Sequence, residues 1–422
     1  MRYPTVVFAS FATRTSCLIF LLLTSHLGVH QAAAQDTTLV RLARRYQYSL
    51  QANGTQYSGL GWEKIRADVQ KSQFVLLGED HGTVQIPQFA TAVARELKPA
   101  LYAPEVDPYV AATLTQLAAQ PKQARAYLQQ YPGALCFGSL AEEFDLVCVL
   151  RTQQTRVMGL DQIFIINAAP FYQQLAAQAK GAAARAYLHQ RATAYQAQEQ
   201  ANLRQGSQTF VLLQQTPAAI DSLLTFTKKE SLAVQKMAQD YAASYRIYMS
   251  GSHQARLSLL KRNLLQELRV YQTATELAAP KMLFKFGAQH LARGGSPISG
   301  GEYYDLGNLV QNLADVQGQQ SLHILVLGKQ GTRISNLAGL LSANQNPESY
   351  TSTSYENGSA FPVKLFMDQV HGPDWSAFDL RPLRTALAQG KMQLPSRALE
   401  RIITGYDYFV IIPETTAGHP IP

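Results

Sequence analysis

The run Phe74–Val75–Leu76–Leu77–Gly78–Glu79–Asp80–His81–Gly82–Thr83 sets the fold and points to the chemistry. Four consecutive apolar residues read as a strand buried on both faces, as parallel sheets require. The polar cluster that follows puts two carboxylates and an imidazole into one turn. Glycines on either side let the backbone bend sharply and approach a ligand. In open parallel sheets, ligands bind beyond the carboxyl ends of the strands.

Other short apolar runs share this character. They are Leu101–Val106, Val157–Leu160, Met282–Phe286 and His323–Leu327, each bounded by Gly, Pro or charged residues. Trp62, Ile65 and Val69 recur at helical spacing before the first strand, and Phe89, Val93 and Leu97 do so after it, ahead of Pro99. Strand–helix alternation predicts an α/β fold with a mostly parallel central sheet flanked by helices.

Between Pro170 and Pro280 the composition changes. Pro217, Gly181, Gly206 and Gly251 are the only helix breakers there, and Ala, Gln, Leu, Lys and Arg dominate. This predicts a helical insertion over about 168–280, lodged between two core strands. Beyond residue 330 the chain is loop-rich, with Ser342–Ser359 read as a surface loop. Val363–Met367 and Tyr408–Ile412 read as further strands, with a helix near Leu383–Ala388 between them. The simplest organisation is one α/β domain over 36–422.

Residues 1–35 have the pattern of a secretory signal peptide. Arg2 and Arg14 give the positive start, Leu18–Leu23 the apolar stretch, and Ala32–Ala34 a small-residue cleavage region. The expected location is secreted or periplasmic, with no stable membrane insertion after cleavage, since the apolar stretch is too short to span a bilayer. Cys17 precedes the apolar stretch, whereas a lipid-modified cysteine follows it. Hydrophobic residues at 46% and charged residues at 16% exclude a disordered chain. Loss of the two leader arginines brings the net charge of +8 to +6. That excess is spread out, with no dense Lys/Arg run, so the expected partner is a small-molecule substrate and not nucleic acid. Cys136 and Cys148 fit either a disulfide or two reduced thiols in apolar surroundings.

No nucleophile elbow, zinc-protease helix, P-loop or dinucleotide fingerprint occurs. Four strand ends carry ionisable groups instead. They are Glu79–Asp80–His81, Glu105–Val106–Asp107, Asp161–Gln162, and Gly287–Ala288–Gln289–His290 with Arg293 just beyond. His81 and His290 both close a core strand as Gly-x-x-His. Imidazoles oriented by carboxylates suit acid–base catalysis, and the same groups suit a divalent metal. A single such histidine is more often a hydrogen-bonded structural residue; convergence with Glu105 and Asp161 is what argues for a site. Asp80 and Asp161 also read as helix caps, and Asp107 as the start of a turn. His189, His253, His371 and His419 read as solvated, and His323 as structural.

The Gly78–Thr83 stretch resembles the signature GE-x-x-HG-T of the erythromycin esterase-like family, with one residue fewer between Glu and His. Glu105 matches the family's next strand-end glutamate. Arg256, Leu260 and Asn263 reproduce its Arg–apolar–Asn helix spacing. Phe286–His290 keeps only the last histidine of its H-N-x-H segment. Tyr304–Asn308, and Gly405–Asp407 followed by Phe409–Pro413, are also similar. The resemblance covers roughly residues 60–415, as short motifs in the right order.

It implies an α/β fold with a helical insertion and a metal-free hydrolase. In that scheme His81 activates water for attack on an ester or lactone carbonyl, with Glu79 and Glu105 orienting or tuning it. His290 and Arg256 would stabilise the oxyanion, and Asn263, Asp161 and Arg293 would join Arg256 in binding substrate. The paired Gly-x-x-His motifs also resemble a metal-dependent, protease-like branch, in which His81, His290 and Glu105 would ligate Mn or Zn. A further branch, of haem-binding lipoproteins, would need a lipobox that this chain lacks. The remaining alternative is a secreted small-molecule-binding protein without turnover.

Overall fold

A computed structural model describes residues 38–421 apart from 206–208, 273–278, 298–301, 336–340, 342–346, 357 and 360. The expected signal peptide lies outside the described residues. Nine strands form the main sheet, in the order β2-β1-β10-β11-β7-β3-β6-β4-β5. In sequence they are β1 (Gln47–Asn53), β2 (Gln56–Ser58), β3 (Phe74–Glu79), β4 (Leu101–Pro104), β5 (Arg156–Val157), β6 (Met282–Gly287), β7 (Ser321–Gly328), β10 (Trp375–Asp379) and β11 (Tyr408–Ile412). The block from β11 to β5 is parallel throughout. Antiparallel β10, β1 and β2 extend one edge. A separate hairpin pairs β8 (Gly331–Arg333) with β9 (Glu348–Tyr350).

The central strands β3 and β6 are buried along their whole length, so neither face needs polar residues. Alternate residues feed two cores. Val75, Leu77 and Leu283 face one, with Phe89, Val93, Val147 and Leu150 from the covering helices. Phe74, Leu76, Phe284 and Phe286 face the other. There they meet Leu257, Leu260, Leu264 and Leu268, one stripe of the helix His253–Leu268. Burying each of those leucines stabilises the contact by about 1.5–3 kcal/mol.

The helix-rich stretch folds as expected, into Ala168–Gln178, Ala182–Arg204, Pro217–Thr227, Leu232–Ser250 and His253–Leu268. The first four share an apolar core of Phe171, Tyr172, Leu188, Tyr195, Leu223 and Tyr241. The fifth returns to the sheet and delivers the chain to β6.

Three local expectations fail. Val363–Met367 is no strand: Lys364–Met367 is a short helix that buries Phe366 and Met367. A brief apolar run fits either element, and here packing decides. The strand of this region is β10, which the sequence reading missed along with β1. Val157–Leu160 pairs only through Arg156 and Val157, because Gly159 presses onto the backbone of Asp107 and the chain leaves the sheet. Ser342–Ser359 contains β9, which pairs with β8, and a 3₁₀ turn, Ser352–Tyr355. Among the described residues, Cys136 and Cys148 are free thiols, Cys136 buried and Cys148 partly so.

Candidate active site

The strand order assembles the site. β6 lies between β3 and β4, with Glu79 level with Gly287 and Pro104 level with Lys285. The residue after Pro104 therefore emerges beside the end of β6. That residue is Glu105, and its Oε2 accepts the Gly287 amide hydrogen at 2.7 Å. His81 enters from the turn after β3. Its Nε2 lies 3.3 Å from the same Glu105 oxygen, and its Nδ1 donates to Glu79 Oε1 at 2.8 Å. His290, in the turn of helix that follows β6, points its Nε2 at Glu105 Oε1 from 3.5 Å. Arg256 donates to Glu105 Oε1 at 2.8 Å. One carboxylate thus gathers both histidines, the arginine and a backbone amide.

Each member is held from behind. Ser252 caps the helix His253–Leu268 by accepting from the Ala255 amide, which sets the first turn that carries Arg256. Asp161 takes the other side of that guanidinium, accepting from Nε at 3.0 Å and from Nη2. His290 is fully buried and donates from Nδ1 to Asp305 Oδ2 at 2.7 Å. The other Asp305 oxygen caps the helix Leu306–Val316 at the Leu306 amide. The His81 ring stacks on Phe137 at 4.0 Å between centroids and 13° between planes. Gly82 has φ of 82°, and a Cβ there would sit 2.1 Å from the Ile334 carbonyl oxygen, so only glycine fits this turn.

The electrostatics are dominated by ion pairing in a buried place. Burial opposes charge on His81, yet Glu79 and Glu105 together raise its pKa to about 10. Burial likewise opposes charge on His290, and Glu105 and Asp305 outweigh it and raise that pKa too. Burial raises the Glu105 carboxyl, but His290, His81 and Arg256 bring it well below the usual range. Near neutral pH, His81 therefore rests as an imidazolium between two carboxylates. A cavity of about 20 Å³ adjoins it, lined by His81, Glu79, Glu105, Tyr102, Phe137 and Lys285. That is room for a single water.

His81, Glu79, Glu105, His290, Arg256 and Asp161 are thus brought together. Asn263 and Arg293 are not engaged there. Asn263 donates to the Leu160 carbonyl at 2.7 Å, tying the helix to the chain before Asp161. Arg293 closes on Asp407 with two hydrogen bonds of 2.7 and 2.6 Å and also reaches Gln311, so its guanidinium is committed to the fold. Asp80 pairs with Arg333 of β8 and caps nothing, since the next helix begins at Gln85. Asp107 is the N-cap of the helix Pro108–Ala119, accepting from the Tyr109 and Val110 amides. His323 is fully buried and donates to the Leu291 carbonyl, and burial drives its pKa down to about 3, as a structural histidine. His253 departs from its expected solvated role: its ring lies 6.1 Å from that of His290 and edge-on to Tyr303. His419 pairs with Glu142.

Three participants escaped the sequence reading. Lys285 and Glu143 stand behind Glu79, and Phe137 lies against His81. Lys285 carried a signal, as the one charged residue in the otherwise apolar run of β6.

Two imidazoles backed by carboxylates on Nδ1, with Nε2 turned to a third carboxylate, match part of a metal-site pattern. The donor set as it stands does not fit an ion. Both Glu105 oxygens are taken, one by the Gly287 amide and one by the Arg256 cation. Among the described residues, no group of three His, Cys, Asp or Glu side chains has metal-holding geometry. Among the same residues, no helix is long and apolar enough to cross a membrane.

No family model matches the chain, and no curated protein sequence matches it. Solved structures do. A Bacillus cereus protein superposes with a TM-score of 0.54 at 13% identity, over 91% of this chain and 99% of its own. A succinoglycan biosynthesis protein gives 0.56 at 12%, over 92% and 99%. A histidine-to-asparagine variant of the erythromycin esterase EreC, in its open conformation, gives 0.54 at 11%, over 89% and 99%. The chain therefore has the α/β fold of an erythromycin esterase over nearly its whole length, as the order of its short motifs implied.

Proposed function

We propose that the protein is a hydrolase that uses water to open an ester or lactone, with His81 moving the proton. The observation that carries this reading is the Glu105 hub, which joins His81 Nε2, His290 Nε2, Arg256 and the Gly287 amide at the carboxyl edge of the sheet. Among the described residues, no serine sits on a sharp strand-to-helix turn as a nucleophile. Burial raises the pKa of the Cys136 and Cys148 thiols, Cys136 most, which keeps them protonated. Water is then the nucleophile and needs a base.

His81 serves once its Nε2 proton has left to bulk, and Glu105 stays an anion across the 3.3 Å contact. The Nδ1–H···Glu79 bond fixes the tautomer that leaves Nε2 free. Arg256, and His290 in its protonated form, flank Glu105 and are the donors that would stabilise a tetrahedral oxyanion. A base held near 10 works best in alkaline solution. The leader pattern supports a mature protein that begins near Gln35 or Asp36 and lies in the periplasm or medium; N-terminal sequencing that returned an intact leader from cell extract would contradict this.

The test is a panel of aryl esters and macrolides, run on wild type and His81→Ala, with and without chelator. His81→Ala should lose about a hundredfold or more in rate, with its thermal melt little changed. Equal turnover by both proteins defeats the mechanism. Loss with chelator, restored by Mn or Zn, assigns the metal-dependent reading instead. No turnover of any ester, amide or lactone leaves the non-catalytic binding protein.

A further inference from the structure

Resting on the His81 reading, we propose that Lys285 is a positioning residue for the site. Anchored on Glu143, it holds the Glu79 carboxylate where the carboxylate fixes the His81 ring. The placement follows from strand periodicity. Side chains alternate along β6, so Lys285 shares the face of Leu283, while Phe284 and Phe286 point to the opposite core. That puts an ammonium under the helix Ala141–Thr152, among Tyr102, Val147 and Leu77, where it is 3% exposed.

Its two partners are also buried. Lys285 Nζ donates to Glu79 Oε1 at 2.6 Å and to Glu143 Oε1 at 2.5 Å. The same Glu79 oxygen accepts His81 Nδ1 at 2.8 Å. Glu79 Oε2 has no hydrogen-bond partner among the described residues. One oxygen therefore takes both contacts, and the lysine fixes which oxygen faces the imidazole. Without it, the His81 Nδ1–H is the one remaining hydrogen bond to this carboxylate among the described residues, and the carboxylate is free to swap oxygens or rotate and carry the ring with it.

Stability alone does not call for such a group. A buried ion pair is commonly no more stabilising than apolar residues of the same volume, and β6 is otherwise filled by Met, Leu and Phe. A misplacement of about 1 Å in a catalytic group costs up to about a hundredfold in rate, which gives the lysine a task.

The experiment compares wild type, Lys285→Met, and the double variant Lys285→Met/Glu143→Gln. The double variant removes the second carboxylate together with the ammonium, so it leaves only the His81–Glu79 pair and is the form expected to fold. Two readouts are taken. One is the ¹⁵N spectrum of the His81 ring, assigned by its disappearance in His81→Ala. The other is kcat and KM on the best ester of the panel.

The expected result is that wild type shows a protonated, hydrogen-bonded Nδ1 and the folded double variant loses that signature. Its kcat should fall about 10- to 100-fold, with KM within about twofold. A double variant with wild-type ring signals and wild-type kcat overturns the proposal, because charge balance was then all that Lys285 supplied. If wild type turns over no ester, the hydrolase reading fails by itself, and the ring spectrum still decides whether Lys285 positions His81.

Discussion

Replacing Glu79 by Gln should move the His81 titration by whole pH units. The carboxylate oxygen lies 2.8 Å from His81 Nδ1, and Glu79 is only 4% exposed. Two unit charges about 4 Å apart interact by about 4 kcal/mol at an effective dielectric constant of about 20. At 1.36 kcal/mol per pKa unit, that is about three units. Lys285 remains nearby and also repels an imidazolium once its Glu79 partner is gone. Glu105 still favours the cation.

The net expectation is a fall of about two to three units from the wild-type value of about 10. The variant should then titrate at about 7 to 8. At pH 8 about one wild-type ring in a hundred would be neutral, against half or more in the variant. NMR titration of His81 measures this directly, whatever the substrate. The pH–rate profile measures it through function: the wild-type rate should climb tenfold per unit toward pH 10, and the acid limb of Glu79→Gln should lie two to three units lower. A midpoint within about half a unit of wild type, by both methods, would refute the assignment of Glu79 as the group that keeps His81 charged.

Lys285→Met should destabilise the protein by about 3–5 kcal/mol at pH 8, because it leaves Glu143 buried and unpaired and Glu79 with His81 alone. Burial already pushes Glu143 up to about 7 even with the lysine present. Without it, the Glu143 carboxyl rises further above its unfolded value. Its penalty is then full above that value and is relieved as acid protonates it. Urea melts should show the difference from wild type shrinking between pH 8 and pH 4.5; an equal deficit at both refutes the charge explanation. Gly82→Ala should cost about 2 kcal/mol or more, since it combines positive φ with a Cβ driven into the Ile334 carbonyl. A melt matching wild type would show that the turn relaxes freely.

Much of this protein is written locally. Phe74–Leu77 and Met282–Phe286 announce buried parallel strands because, Lys285 apart, they are apolar on both faces, and the breaker-poor stretch after Pro170 announces helices. Secretion-type patterning, the two Gly-x-x-His ends and the strand-end glutamate are equally visible, since each depends on neighbours a few residues apart. Two short segments were beyond that reach. Lys364–Met367 and β10 are each too brief for periodicity to separate helix from strand.

The site itself was decided by strand order. β6 enters the sheet between β3 and β4, although the helical insertion separates it from both in the chain. Only that long-range pairing sets Glu105 against the Gly287 amide and turns two similar histidine motifs toward one carboxylate. Sequence offered both Arg256 and Arg293 as substrate-binding candidates. The fold sends one to Glu105 and Asp161 and locks the other onto Asp407. Sequence also showed a lysine inside a buried strand without saying what neutralised it. Glu143 comes from a helix packed over that face, and the contact depends on helix-on-sheet packing, which no local pattern encodes. Charge state followed the same rule: His81 has the ordinary pKa of a histidine until two carboxylates, one from its own strand and one from a strand two places away, outweigh its burial and make it a cation.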